Sequence, residues 1–512
     1  MSYSERRDAG RGDCCTRVVN CSGVAGIAAK LAKLITVAML AGLLAAWPSG
    51  AFAAGTTTTL TTDGAWTWFN DPRGIVDNGK LYTGWIDSGG FLFAASHDLT
   101  TGVTSTTPLY NGAFFQRDDH DNPAFLKNPN GSLTAFYAPH GGASVRIQDI
   151  AVSPTGTLTA GAIATQNSWS YGGTSGWSYA NPYRLSDDNG ASKTYLFSRA
   201  PNFNPSYRIR DDATNTWGAA KPLILNSGQR PYVKYHSNNV DRVGFTFTDG
   251  HPRNVQNNVY YAYLQDDAYW RVDGTKIKDL SAGPLSLSDM QDSVGTVYNH
   301  VGSPAGNNSW VWDVATDAQG RPVVAYTTFL SDTVHEYHWA RFEDGQWRDR
   351  RLVRAGPSIA LSGETHYSAG IALDPTDPEI AYLSSQNAGT WNLQQWKLND
   401  DGATWATQLI ANGFGPHDEN IRPFVPQNRP ADTEMVMWLR GQYDFWDFSR
   451  GVGYDMSVML WTNHVGGAGA ESASGIPEPS GALAILVLST SLLARRRRQT
   501  RQSHAAAAAT SH

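Results

Sequence analysis

The residues best equipped for chemistry are imidazoles, guanidinium groups and phenols. His120 lies in Asp118-Asp119-His120-Asp121-Asn122-Pro123, His140 in Tyr137-Ala138-Pro139-His140-Gly141-Gly142, and Tyr183 in Ala180-Asn181-Pro182-Tyr183, with Arg199 sixteen residues further on. Two more runs follow, Arg230-Pro231-Tyr232-Val233-Lys234-Tyr235 and Thr248-Asp249-Gly250-His251-Pro252-Arg253. Glycoside hydrolysis by its common route needs two carboxyl groups flanking the scissile bond, and no repeated acidic pair presents itself. Elimination from a uronic acid needs a cation for the sugar carboxylate, a base for the C5 proton and an acid for the departing O4. Arginine, histidine and tyrosine fill those roles with no cofactor. A phenol of ordinary pKa, about 10, acts as a base near neutral pH only in a positive field, and Arg199 would supply it.

Plainer roles compete for the same residues. His140-Gly141-Gly142 also reads as a hydrogen-bonding turn, and His251 as a structural residue. Tyr232 and Tyr235 differ by three positions, so on one strand they face opposite sides and one belongs to the core.

Residues so far apart need a fold that gathers them. Short alternating apolar segments bounded by Gly, Pro, Asn and Asp recur along the chain, and no sustained helical period is found. Charged residues make up 17% and aromatics 11%, which favours strands over solvated helices. A loose unit repeats, in which a polar opening leads through a turn to an aromatic-rich strand. It starts at Asn70, Asp121, Ala180, Gln229, Trp312, His366 and Ile421, and the aromatic-rich strands include Leu81 to Trp85, Leu133 to Tyr137 and Val243 to Phe247. Seven starts predict an all-β, seven-bladed β-propeller of four-stranded antiparallel blades, with two sandwich domains as the alternative. Asp400-Asp401-Gly402-Ala403-Thr404-Trp405 resembles the Asp-box turn found between outer strands of sialidase-like propellers. In a propeller the blade openings converge on one mouth, which would bring these residues together.

The two ends read as export signals. Six basic residues precede the apolar run Leu34 to Ala46, and Ala51-Phe52-Ala53 supplies a small-x-small cleavage pattern, so residues 1–54 are expected to be a signal peptide with an extended basic start. Residues 55–464 form the expected propeller and 465–475 a Gly/Ala/Ser linker. Residues 476–512 hold Pro477-Glu478-Pro479, an apolar run and Arg495 to Arg498, which resembles a PEP-CTERM sorting tail read by an exosortase in Gram-negative bacteria. The expected location is therefore the cell surface or the exterior. Cys14, Cys15 and Cys21 all lie in the leader, so any metal in the body needs oxygen or imidazole ligands. The chain carries a net charge of −6 and both ends are basic, so the body is more acidic still. That excludes nucleic acid as the expected partner and requires a locally basic mouth if the ligand is an anion.

The motifs around His120, His140, Arg230 to Tyr235 and Thr248 to Arg253 are similar to those of the BNR-4 propeller group, which includes the seven-bladed ulvan lyases. The resemblance spans about Trp66 to Trp446. It implies a secreted, monomeric polysaccharide lyase that cuts an acidic, sulfated, uronic-acid glycan by β-elimination. It also implies that His120 and His140 line the cleft and that Arg199 neutralises the uronate. Tyr183 and Tyr235 would handle protons, Tyr183 as base or as base and acid, with His120 assisting. Asn122, Asn181, Arg230, Lys234 and Arg253 are the expected substrate-binding residues, and a structural Ca²⁺ or Zn²⁺ is compatible with the family. The competing functions are a sialidase-like hydrolase and a noncatalytic glycan-binding surface propeller.

Overall fold

Segments such as Val243-Gly244-Phe245-Thr246-Phe247 combine β-branched and aromatic residues and are buried on both faces, as a strand covered by neighbouring sheets must be. In the computed structural model, which describes residues 55–465 apart from 168–175, 187–189, 201–202, 303–306, 361–363, 416–417 and 448–451, such strands form seven antiparallel blades. The innermost strands are Gly74–Asp77, Ala124–Lys127, Ser178–Ser186, Val233–Ser237, Asn308–Thr316, Ile371–Leu373 and Glu419–Phe424, numbered here as blades 1 to 7. Each pairs with the next strand in sequence, as Val233 with Phe247 and Ala124 with Phe136. The ring closes when Thr56–Thr61 becomes the outer strand of blade 7, Thr56 facing Thr462, so that one blade is built from both ends of the described chain.

The seven expected repeat starts all lie within a few residues of an innermost strand, and Leu81 to Trp85, Leu133 to Tyr137 and Val243 to Phe247 are second strands. The propeller expectation holds. The Asp-box turn also forms. Asp401 accepts bonds from the backbone N–H of Ala403 and Thr404 and from the Thr404 hydroxyl, and Trp405 packs edge-on against Trp339. The expected signal peptide, the linker beyond Val465 and the sorting tail lie outside the described residues.

The segment Trp66 to Arg73 leads into blade 1 and touches the other six. Trp66 Nε1 donates to the Arg422 carbonyl, Thr67 N to Asn122 Oδ1 and Asp71 N to Asn181 Oδ1. The Trp68 carbonyl accepts from Lys234 Nζ, while the Trp68 ring stacks on Trp312 at 4.6 Å and meets Tyr367 at 5.7 Å. A stretch in contact with every other blade lies on the axis and plugs it.

Its buried anchor is the Asp71 carboxylate, paired with Lys234 and with Arg73 at 3.1 Å. Burial opposes its charge, yet the two cations hold its pKa below the usual value. Replacing Lys234 by Met leaves that carboxylate underpaired. The expected cost is about 3 kcal/mol, read as a lower urea midpoint of the protein with unchanged m.

Candidate active site at the propeller mouth

Innermost strands begin at one face, so the loops entering them and the turns between second and third strands meet there. His120 lies on the short turn Asp119–Asp121 that enters blade 2, a turn capped by the Asp118 side chain accepting from His120 N. His140 lies on the next turn of the same blade, between Leu133–Tyr137 and Ser144–Val152. Their rings stack in parallel, 3.9 Å apart at 1°. One carboxylate spans the pair, with His120 Nδ1 2.5 Å from Asp118 Oδ1 and His140 Nδ1 2.8 Å from Asp118 Oδ2.

That sharing drives the two rings into different states. His120 Nδ1 also lies 2.8 Å from Asp119 Oδ1. Burial opposes its charge, but the two carboxylates outweigh it and raise its pKa to about 9. His140 is held below the usual value by burial and by the neighbouring His120 cation, against the pull of Asp118. Near neutral pH the pair is therefore one imidazolium and one neutral imidazole. Because Asp118 stays ionised, held far below its usual value by the histidines, His140 Nδ1 carries the proton and Nε2 presents a lone pair.

Next to the pair stand Tyr179 and Arg199. Tyr179 lies 5.5 Å from His120, and the Arg199 guanidinium sits 4.4 Å over its ring. Arg199 donates to Tyr232 Oη at 3.0 Å and to Ser178 Oγ at 3.2 Å, and among the described residues it meets no carboxylate. Tyr179 has φ of 64°, a left-handed conformation uncommon for so bulky a residue, and strain of that kind gathers at functional sites. Burial holds its phenol well above the usual pKa, so it is a proton donor rather than a phenolate. Tyr232 then contacts His251 edge-on at 5.5 Å. His251 accepts from Arg253 N through Nδ1, and burial, followed by Arg253 and the neighbouring His366, Arg199 and Arg230, depresses it to about 3.

The mouth is therefore not uniformly negative. Asp119 is neutralised by buried Arg422, and Asp121 is pushed well above the usual carboxylate range by burial and by Asp118. Arg253 pairs with Glu364, while Arg230, exposed, lies 4.2 Å over the Phe203 ring.

The expected site divides on this geometry. His120, His140, Arg199, Arg230 and Arg253 reach the mouth. Tyr183 does not, whereas Tyr235, its ring packed among the blades, lines one small cavity with Tyr179, Arg199 and Tyr232. Tyr183 is 1% exposed, donates its Oη to the Tyr235 carbonyl at 3.1 Å and packs between blades 3 and 4, while Tyr235 lies on Phe197 at 4.7 Å. Tyr179 and Tyr232 also stand at the mouth. Of the other expected sugar ligands, Asn122, Asn181 and Lys234 are buried and spend their polar groups on the axial segment. They position the site rather than face it. Tyr179 was missed because nothing in the sequence marks its backbone twist, whereas Tyr232 was implied by the three-residue offset from Tyr235.

Among the described residues, Asp118, His120 and His140 form a cluster whose ligand atoms lie within 4.8 Å of one another. Two of its contacts, 2.5 and 2.8 Å, are hydrogen-bond lengths. Ligand atoms sharing one tetrahedral zinc ion stand about 3.3 Å apart, so this arrangement fits shared protons and not a metal.

Three comparisons bear on the chain. A family model described as "BNR repeat-containing family member" matches residues 80–355. A solved structure of a polysaccharide lyase, a PL25 ulvan lyase bound to -[GlcA(1-4)Rha3S]-, is similar with a TM-score of 0.56 and 14% identity, over 79% of this chain and 95% of that one. A second PL25 ulvan lyase structure gives 0.55 at 14% identity over the same shares, 79% and 95%. At such identity the likeness concerns the fold. No curated protein matches in sequence.

Replacing Asp118 by Asn should return His120 from about 9 towards the usual value of 6.5, followed by NMR titration of the imidazole resonances. His120 is raised on folding, so its contribution to stability is complete below about pH 6.5 and is lost as pH rises through about 9. The parent should lose on the order of 3 kcal/mol across that window and the variant much less.

Proposed function

The chain belongs to the BNR repeat-containing family, and on that premise we propose that it is a polysaccharide lyase that cleaves a uronic-acid glycan by β-elimination. One observation carries the reading. Among the described residues, a neutral imidazole with Nε2 unbonded, an imidazolium, a protonated phenol and an arginine that meets no carboxylate stand side by side at one mouth. The similarity in fold to ulvan lyases is in keeping with this and leaves the polymer open.

In this reading Arg199 faces the uronate carboxylate and lowers the cost of charge building up at C5. His140 Nε2 takes the C5 proton, and Asp118 orients the ring and supports the imidazolium that forms. The C5–H electron pair becomes the C4=C5 double bond as the C4–O4 bond breaks. O4 leaves with a proton from Tyr179, and His120 supplies fixed positive charge beside it. The products are a new chain end and a 4,5-unsaturated uronyl end. A sulfated, ulvan-like substrate would find further cations in Arg230 and Arg253. Secretion of the mature domain to the cell surface or exterior completes the proposal.

Incubating the mature domain with uronate polymers should produce the ultraviolet absorbance of a conjugated uronyl double bond. New reducing ends without that absorbance would mean hydrolysis, and retention of glycan without cleavage would mean a binding module. His140→Gln should lower kcat roughly 100- to 10,000-fold, the usual worth of a general base, and Tyr179→Phe should fall in the same range. Activity should rise as His140 loses its proton, below its usual 6.5, and decline as His120 deprotonates near 9. A flat pH profile would sink the assignment.

A further inference from the structure

Beside His140 the mouth rim carries an aromatic and cationic platform that the chemistry above does not use. The loop from blade 1 to blade 2 contains Phe114, 53% exposed, and Arg117, also exposed. Phe114 stands edge-on to Phe91 at 6.3 Å and 81°. Phe91 lies at the end of the blade 1 turn that corresponds to the His140 turn of blade 2.

The platform is built, not a stray apolar side chain. Phe115 N donates to the Gly90 carbonyl at 2.9 Å, and Arg117 Nε to the Gly89 carbonyl at 3.2 Å. Gly90, at φ of 89°, is pressed so closely that an added Cβ would stand 2.7 Å from the Phe114 ring and 2.9 Å from Arg117 Cγ. Only glycine gives both that conformation and that approach. Gln116 ties the loop to the reaction centre, because its Oε1 accepts from His140 N at 2.9 Å. Phe114 is thus two residues, about 7 Å of extended chain, from the residue that holds the His140 backbone. Among the described residues Arg117 meets no carboxylate.

We infer that Phe91, Phe114 and Arg117 form a distal sugar-binding subsite, on which units of an acidic glycan beyond the reacting uronate lie, one ring stacked on Phe114 and its anionic group on Arg117. The inference rests on the reading of the mouth as a glycan lyase site. A ring exposed on one side and propped on the other offers a flat apolar face at little entropic cost, and a sugar ring covers such a face. The guanidinium beside it selects chains bearing carboxylate or sulfate. The platform belongs to the blade 1 turn and the loop that follows it, apart from the histidine pair of blade 2, so it serves long chains and not the shortest ones.

The test compares the parent, Phe114→Ala and Arg117→Ala on a uronate polymer and on size-fractionated oligosaccharides made from it. Both substituted residues lie on the surface, and Val240→Ala, at an exposed turn on the opposite face, is the control. Phe114→Ala should raise KM about three- to tenfold on the polymer, with kcat unchanged and the shortest cleavable oligosaccharide unaffected. Arg117→Ala should do the same and also flatten the salt dependence of KM. Equal KM values at every length, or an equal loss at every length, would overturn the subsite. Retardation of the same proteins in gels containing the polymer reads binding without catalysis. A parent that is retarded but never yields unsaturated ends would defeat the lyase reading alone, and the subsite would then stand or fall on whether Phe114→Ala and Arg117→Ala reduce the retardation.

Discussion

The structure depends first on the segment Trp66 to Arg73 lying across the axis. Seven sheets packed in a ring leave a central shaft, and here polypeptide fills it, with the Asp71 carboxylate held inside by Lys234 and Arg73. Polar groups on that segment are cut off from water, and most of them find partners in the protein, with Thr67 Oγ1, Trp68 Nε1 and Asn70 Oδ1 left over. The partners are the residues that enter the blades. Asn70 Nδ2 donates to the carbonyls of His120 and Asn122, and Asn181 Nδ2 to those of Phe69 and Tyr179. Satisfying the plug therefore fixes the backbone at His120 and at Tyr179. Stability and site geometry come from the same bonds.

Charge is handled at the mouth by local pairing. The body is acidic, yet each carboxylate close to the histidines is neutralised or assigned. Asp118 is shared by two imidazoles, Asp119 meets Arg422 and the Tyr443 hydroxyl, and Asp121 is pushed towards its neutral form. Among the described residues, what meets no opposite charge is positive, at Arg199 and Arg230. Stacking two imidazoles on one carboxylate separates their pKa values, and two like groups driven apart in this way can act as base and as fixed cation. Tyr179, Phe203 and Arg422, three of the residues with positive φ, belong to this region.

The fold was legible because aromatic second strands and polar blade openings repeat, and each repeat is a sheet that cannot bury itself alone. His120, His140 and Arg199 were legible as mouth residues because they sit at or next to blade openings. The tyrosines were not. Tyr179 and Tyr183 share one strand, but the register shifts between Ser178 and Asn181, so the residue that reaches the mouth is the one at the irregularity. Tyr183, in regular strand, points into the contact between blades. Asn122, Asn181 and Lys234 carry the polar character of ligand contacts, and only the axial plug, which no periodicity reveals, shows them to be internal. The family resemblance pointed to the blades whose openings carry His120, His140 and Arg199 and said nothing of these offsets.

The central claim is that bond cleavage at this mouth is elimination. Running the reaction in heavy-oxygen water and weighing the products by mass spectrometry tests it most directly. Elimination breaks the C4–O4 bond without adding water, so the account predicts two products whose masses sum to that of the substrate, with no label in either. A product gaining one water and one heavy oxygen would contradict it.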